Sequence, residues 1–175
     1  SLKDYWYVLA ESRELTSNLI LHREVLSEWI AVFRDEDGVP RAFQDRCIHR
    51  NVRLSQGQCR NGKIRCSYHG WEFDKSGQVT NIPSMGDSSS NQKANLKNKC
   101  ATTYEVVELD GYIYIRLNNN PLNPTTPFKM PFVQDKSYTT IRLINYFDND
   151  VTNCVENFVD VPHTVFVHPK IFRNA

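Results

Sequence analysis

The sequence predicts an α+β chain. An antiparallel, β-rich part covers residues 1–118, a proline-rich connection covers 119–136, and an α+β domain begins over 137–175. Three observations lead there. Short aromatic and β-branched runs are punctuated by Asp/Gly turns up to Leu117. Four prolines, Pro121, Pro124, Pro127 and Pro131, follow at close spacing. A helical period appears only after them, with Val151, Cys154, Val155, Phe158 and Val159 at i, i+3, i+4, i+7 and i+8.

In chain order, Tyr5–Leu9 is a short aromatic strand. Glu28–Phe33 and Val39–Gln44 flank Asp35-Glu36-Asp37-Gly38, a hairpin. Trp71–Asp74 and Gln78–Asn81 flank Lys75-Ser76-Gly77. Tyr104–Leu109 and Tyr112–Leu117 flank Asp110-Gly111, the strongest short-range hairpin signal in the chain. Together these read as a small antiparallel sandwich. The polar stretch Ser84–Lys99 reads as a mobile loop. The proline-rich stretch reads as a boundary or a strap. Ser137–Phe147 then reads as a strand of the second domain, and Asp150 as the cap of the helix that follows.

Two motifs carry chemistry. The first is Cys47-Ile48-His49, then sixteen residues, then Cys66-Ser67-Tyr68-His69. Each half offers one thiolate and one imidazole. That suits a [2Fe–2S] cluster with two Cys on one iron and two His on the other, the Rieske arrangement, in which neutral imidazoles raise the reduction potential. The competing reading is zinc on the same four residues. Zinc modules usually pair Cys with Cys and His with His, whereas here the types interleave.

The second motif is Asn157-x2-Asp160-x2-His163-x4-His168. Two His on one short segment, joined by a carboxylate from elsewhere, would form the facial triad of a non-haem Fe(II) oxygenase, with positions left open for O2 and substrate. Pro162, just before His163, should distort the helix there, because it cannot donate a backbone hydrogen bond. The chain has five His, and four of them fall in these two motifs. His22 is left over and reads as an ordinary strand or surface residue.

The two motifs in this order resemble the α subunit of Rieske non-haem iron oxygenases, the ring-hydroxylating family. The compact spacing of the second is nearest the dicamba, vanillate and pheophorbide monooxygenase branch. The resemblance implies a Rieske domain followed by the start of a helix-grip-like catalytic domain. It implies Cys47 and Cys66 on one iron of the cluster, His49 and His69 on the other, and His163 and His168 on a mononuclear Fe(II). Asp160 matches the carboxylate that links the cluster His69 of a neighbouring subunit to His163 of its own, which implies a homotrimer. Asn157 matches an Asn near the iron. Ile48 stands where the family usually has Pro; it is no ligand. The family's third iron ligand is a carboxylate far downstream, and no Asp or Glu follows Asp160 here. A longer protein is therefore expected. Its implied activity is O2-dependent hydroxylation or oxidative demethylation of a small organic substrate, with a ferredoxin or flavin reductase as electron donor. The alternative is a Rieske ferredoxin-type carrier, for which the second motif would have no use.

Composition limits other classes. Net charge is +1, from 21 basic and 20 acidic residues, so no electrostatic case exists for nucleic acid. No apolar run reaches the length of a membrane span, and no signal peptide precedes Tyr5. Two of the five Cys belong to the first motif. The odd remainder, Cys59, Cys100 and Cys154, argues against a disulfide framework and for a reducing compartment, read as cytoplasmic. Cys154 reads as helix packing, and Cys59 as a bystander in a polar loop. Val52 and Ile64 occupy the places where respiratory Rieske proteins carry an extra disulfide. Arg50 and Trp71 read as donor docking and cluster shielding, or as loop packing. Ser67 and Tyr68 read as hydrogen-bond donors to cluster sulfurs.

Overall fold

A computed structural model describes residues 1–86 and 96–168. The chain divides into two compact units, Ser1–Asp135 and Lys136–Ala175.

Among the described residues the first unit holds ten strands. They are β1 (Tyr7–Glu11), β2 (Ile20–Val25), β3 (Glu28–Arg34), β4 (Pro40–Gln44), β5 (Gln58–Arg60), β6 (Lys63–Arg65), β7 (Glu72–Phe73), β8 (Val79–Asn81), β9 (Thr103–Leu109) and β10 (Tyr112–Arg116). All pairings are antiparallel. One sheet has the order β1-β10-β9-β4-β3-β2 and the other β5-β6-β7-β8. The larger sheet curls until its edge strands meet. Arg23 of β2 donates from Nε to the carbonyl of Leu9 in β1 at 3.1 Å, which nearly closes a barrel.

Strand β3 is buried on both faces, and its period-two alternation feeds two cores. Ile30 and Val32 point into one, with Leu9, Ala42, Ile113 and Ile115. Ala31 and Phe33 point into the other, with Phe43, Leu54, Ile64 and Phe73. Phe33 and Phe43 meet edge to face at 5.0 Å. Each of the buried Val, Leu, Ile and Phe side chains contributes about 1.5–3 kcal/mol. Cys47 and Cys66 belong to this second core, so the packing that unites the two sheets also fixes both thiols.

The three expected hairpins form. Asp110 and Gly111 adopt positive φ (51° and 82°), the geometry a two-residue turn between β9 and β10 requires. The buried Asp35 carboxylate organises the β3–β4 turn. It accepts from Asp37 N, Val39 N and Arg41 Nε at 2.8–3.0 Å.

Elsewhere the structure departs from the sequence reading. The first strand lies two residues later than Tyr5–Leu9. Cys59 is no loop bystander: it sits in β5, buried in the core. Strand β2 was not foreseen. Ser137–Phe147 forms no strand. Its apolar side chains, Ile141, Leu143 and Ile144 among them, lie exposed, and β-propensity alone forms no ladder. Residues 87–95 of the expected mobile loop lie outside the described residues. The proline-rich stretch is a strap on the first unit. Thr125 O accepts from Trp6 Nε1 (2.8 Å) and Arg116 Nη1 (3.2 Å), and Asp110 takes Met130 N and Gln134 Nε2.

In the second unit α1 (Val151–Val159) begins under an Asp150 cap, whose carboxylate accepts from Thr152 N and Asn153 N. It stops before Pro162, and α2 (His163–Val167) restarts the helix, as Pro162 predicts. Cys154 is half-buried on α1.

Candidate metal centre

The two Cys–His loops are built on one backbone plan. In the first, Cys47 N donates to Val52 O (2.8 Å) and Asn51 N donates to Cys47 O (2.8 Å). In the second, Cys66 N donates to Trp71 O (2.9 Å) and Gly70 N to Cys66 O (3.0 Å). Each loop thus closes on the fifth residue after its Cys, and the fourth turns through positive φ, Asn51 at 58° and Gly70 at 71°. Asn and Gly are the residues that tolerate this conformation. The imidazoles differ by one position, His49 two after its Cys and His69 three after.

This plan brings the four side chains together. Cys47 and Cys66 are 2% and 3% exposed, with their thiols against each other. His49 and His69 lie nearer the surface, ring centres 4.6 Å apart. Trp71 lies flat on His49 at 4.6 Å and 7°. Tyr68 packs on His69 at 3.9 Å while remaining largely exposed. Ile48 points outward, and Ser67 and Arg50 are exposed.

Burial pushes the Cys47 thiol up to about 11, the backbone N–H groups of His49 and Arg50 pull it back, and the neighbouring Cys66 adds to the rise. A coordinating metal reverses this, since it binds the thiolate outright. Burial, then the nearby His69 and Arg50 charges, hold His49 below the usual imidazole range, which favours the neutral, ligating form. The His49 Nδ1 atom is buried and has no hydrogen-bond partner. Such an orphan costs about 1–3 kcal/mol unless something satisfies it, and a metal would.

A binuclear cluster takes two protein ligands on each iron, and the paired thiols and paired imidazoles supply that set. The donor set therefore fits the cluster.

In the second unit His163 opens α2 and His168 ends it, with ring centres 5.8 Å apart. Asp160 caps the C-terminus of α1, with Oδ2 3.5 Å from His163 Nδ1. The Asp160 carbonyl also faces that nitrogen. Asn157 is exposed on the last turn of α1.

One side-chain contact escaped the sequence reading. His22 lies in strand β2, as read, and its Nδ1 lies 2.9 Å from the carboxylate of Asp45, which is wholly buried beside the first loop.

Two antiparallel sheets holding a two-Cys, two-His centre between paired loops define a redox metalloprotein domain. Residues 5–105 match the family described as the Rieske [2Fe-2S] domain, and the chain belongs to that family. It is 29% identical over 168 residues to Protein TIC 55, chloroplastic, of Arabidopsis thaliana, covering 94% of this chain and 30% of that protein. It is 33% identical over 170 residues to the oxygenase component of dicamba O-demethylase of Stenotrophomonas maltophilia, covering 95% of this chain and 48% of that protein. A solved structure of the NdmA QL mutant with theobromine from Pseudomonas putida CBB5 superposes with a TM-score of 0.84 at 26% identity, covering 99% of this chain and 52% of that one. The similarity to Rieske-type oxygenases expected from the two motifs is thus found over nearly all of the chain. The chain spans about half the length, or less, of these relatives. Among the described residues no helix is long and apolar enough to cross a membrane.

Proposed function

We propose that this chain is part of the terminal oxygenase component of a Rieske-type system, acting on a small organic substrate by hydroxylation or oxidative demethylation. The observation that carries the reading is the pairing of the two loops: Cys47 and Cys66 set in the core, His49 and His69 above them, and the orphaned His49 Nδ1 in need of a partner. When bound, the [2Fe–2S] cluster would supply one-electron transfer and the mononuclear Fe(II) would supply O2 activation.

The protein's own residues do the rest. Cys47 and Cys66 hold one iron as thiolates, and His49 and His69 hold the other as neutral imidazoles. Trp71 shields His49 from water on one face. His163 and His168 hold the mononuclear iron, with a carboxylate as the third ligand. Asp160 orients His163 and reaches His69 of an adjacent subunit, which makes a homotrimer the working unit. Asn157 lies one helical turn before Asp160 and lines the same approach. A ferredoxin or flavin reductase supplies electrons. The three cysteines outside the cluster, Cys59, Cys100 and Cys154, form no disulfide, which favours a reducing compartment such as the cytoplasm.

The test is Asp160→Ala in the full-length protein. Iron content should stay unchanged, while single-turnover electron transfer falls about 10–100-fold, the usual scale for losing an outer-shell carboxylate. Transfer at the wild-type rate would remove the bridging role, and with it the reason to require a trimer.

A further inference from the structure

The two metal-bearing loops are anchored differently. The second leaves β6 and returns in β7, and the Arg65↔Glu72 and Ile64↔Phe73 pairs close its neck as an ordinary ladder. The first leaves β4, in the six-stranded sheet, and returns through the short turn Leu54–Gln56 to β5, in the four-stranded sheet. No ladder joins β4 to β5. Some other device must hold the neck of that loop.

We propose that Asp45 is that device, the positioning residue of the first loop. Its carboxylate is wholly buried and accepts three hydrogen bonds. Ser55 N donates to Oδ1 at 2.7 Å, and the Ser55 hydroxyl donates to Oδ2 at 2.6 Å. These tie the residue two before Cys47 to the residue three after Val52, so they close the loop just outside the Cys47–Val52 bond. The third donor is His22 Nδ1, at 2.9 Å from Oδ2, which reaches in from β2. Its partner oxygen already takes the Ser55 hydroxyl, so His22 donates. A second strut runs alongside: Asp45 N donates to Trp29 O at 2.7 Å, and the Arg53 guanidinium lies 4.0 Å over the Trp29 ring. The carboxylate therefore joins three segments that are distant in sequence and sets where Cys47 and His49 present their donors.

This inference rests on the cluster-binding reading above. The experiment is reduction potential and reduced-state EPR of the cluster-loaded protein, with its rate of cluster loss, for Asp45→Ala, Asp45→Asn, Ser55→Ala, Ser55→Thr and His22→Gln. Removing a buried acceptor that serves three part-buried donors should speed cluster loss roughly tenfold or more in D45A. D45N and S55A should fall between it and wild type, S55T should recover, and H22Q should show the smallest effect. The potential and EPR line shape should move in the same order. A purely structural role would lower the melting temperature of every variant and leave potential and line shape at wild-type values, and that result overturns the proposal. Should D45A not fold, S55A against S55T decides on the same readouts. Wild-type protein without a cluster would instead sink the cluster-binding reading itself.

Discussion

Replacing Gly57 by Ala should drive the two metal-bearing loops apart. Gly57 ends the turn after the first loop and lies against the strand that enters the second. A Cβ built there would stand 2.2 Å from Arg65 O and 3.0 Å from Leu54 O. Ordinary C···O contacts begin near 3.3 Å, so the backbone at Arg65, next to Cys66, must retreat by roughly 1 Å. Both obstacles are backbone atoms, which cannot swing aside as a side chain could. The cost should reach the upper end of overpacking, about 3 kcal/mol. At roughly 2–4 °C per kcal/mol for a chain of this size, the melting temperature should drop by about 10 °C. Gly38→Ala is the control. Gly38 has φ +78° but nothing within 4 Å of its would-be Cβ, so only backbone strain of about 1–2 kcal/mol applies. Thermal melts followed by circular dichroism, with iron content measured in parallel, separate the two. G57A should melt well below G38A and lose iron, while G38A keeps it. Equal melting, or full iron retention in G57A, would refute the claim that this close approach sets the spacing of the loops.

Other outcomes follow from the same geometry. Trp71→Ala strips the ring from the face of His49 and should accelerate cluster loss, whereas Trp71→Phe should retain most of the wild-type lifetime; visible absorbance decay measures both. Burial raises the pKa of Asp35, but Arg41 and the N–H groups of Val39 and Asp37 outweigh it and hold the group below the ordinary carboxylate range. Its folded value is depressed, so its contribution is complete above about pH 4 and is lost as pH falls through the lower folded value. Denaturant melts at descending pH should show this loss, and Asp35→Asn should flatten it. Asp150→Ala removes the acceptor for Thr152 N and Asn153 N and should cost α1 about 1 kcal/mol, read as lower helical content. Stripping the metal should lower the melting temperature, because it leaves His49 Nδ1 buried without a partner and removes a ligand that favours the folded state.

Much of this was legible in the sequence, for local reasons. The interleaved Cys–His spacing declares the donor set, and Asp110-Gly111 declares its hairpin, because both signals lie within a few residues. The β5–β6 hairpin is equally local: Asn61-Gly62, at φ 48° and 71°, is a strong turn pair. Strand β2 was harder. Its turn to β3 is Leu26-Ser27, both at positive φ, a pair that carries no turn signature. The Asp45 clamp could not be read at all, since it joins residues 23 and 10 positions apart through tertiary folding. Ser137–Phe147 shows the reverse error. Its β-branched and aromatic residues suit a strand, but a strand exists only where a partner pairs with it.

The most direct test of the central claim is iron and inorganic sulfide per chain, read together with the EPR spectrum of the anaerobically reduced protein. The account predicts at least two iron atoms and two sulfides, with the rhombic signal of a cluster ligated by two Cys and two His. Zinc without sulfide would contradict it, and would assign Cys47, His49, Cys66 and His69 to a structural ion instead.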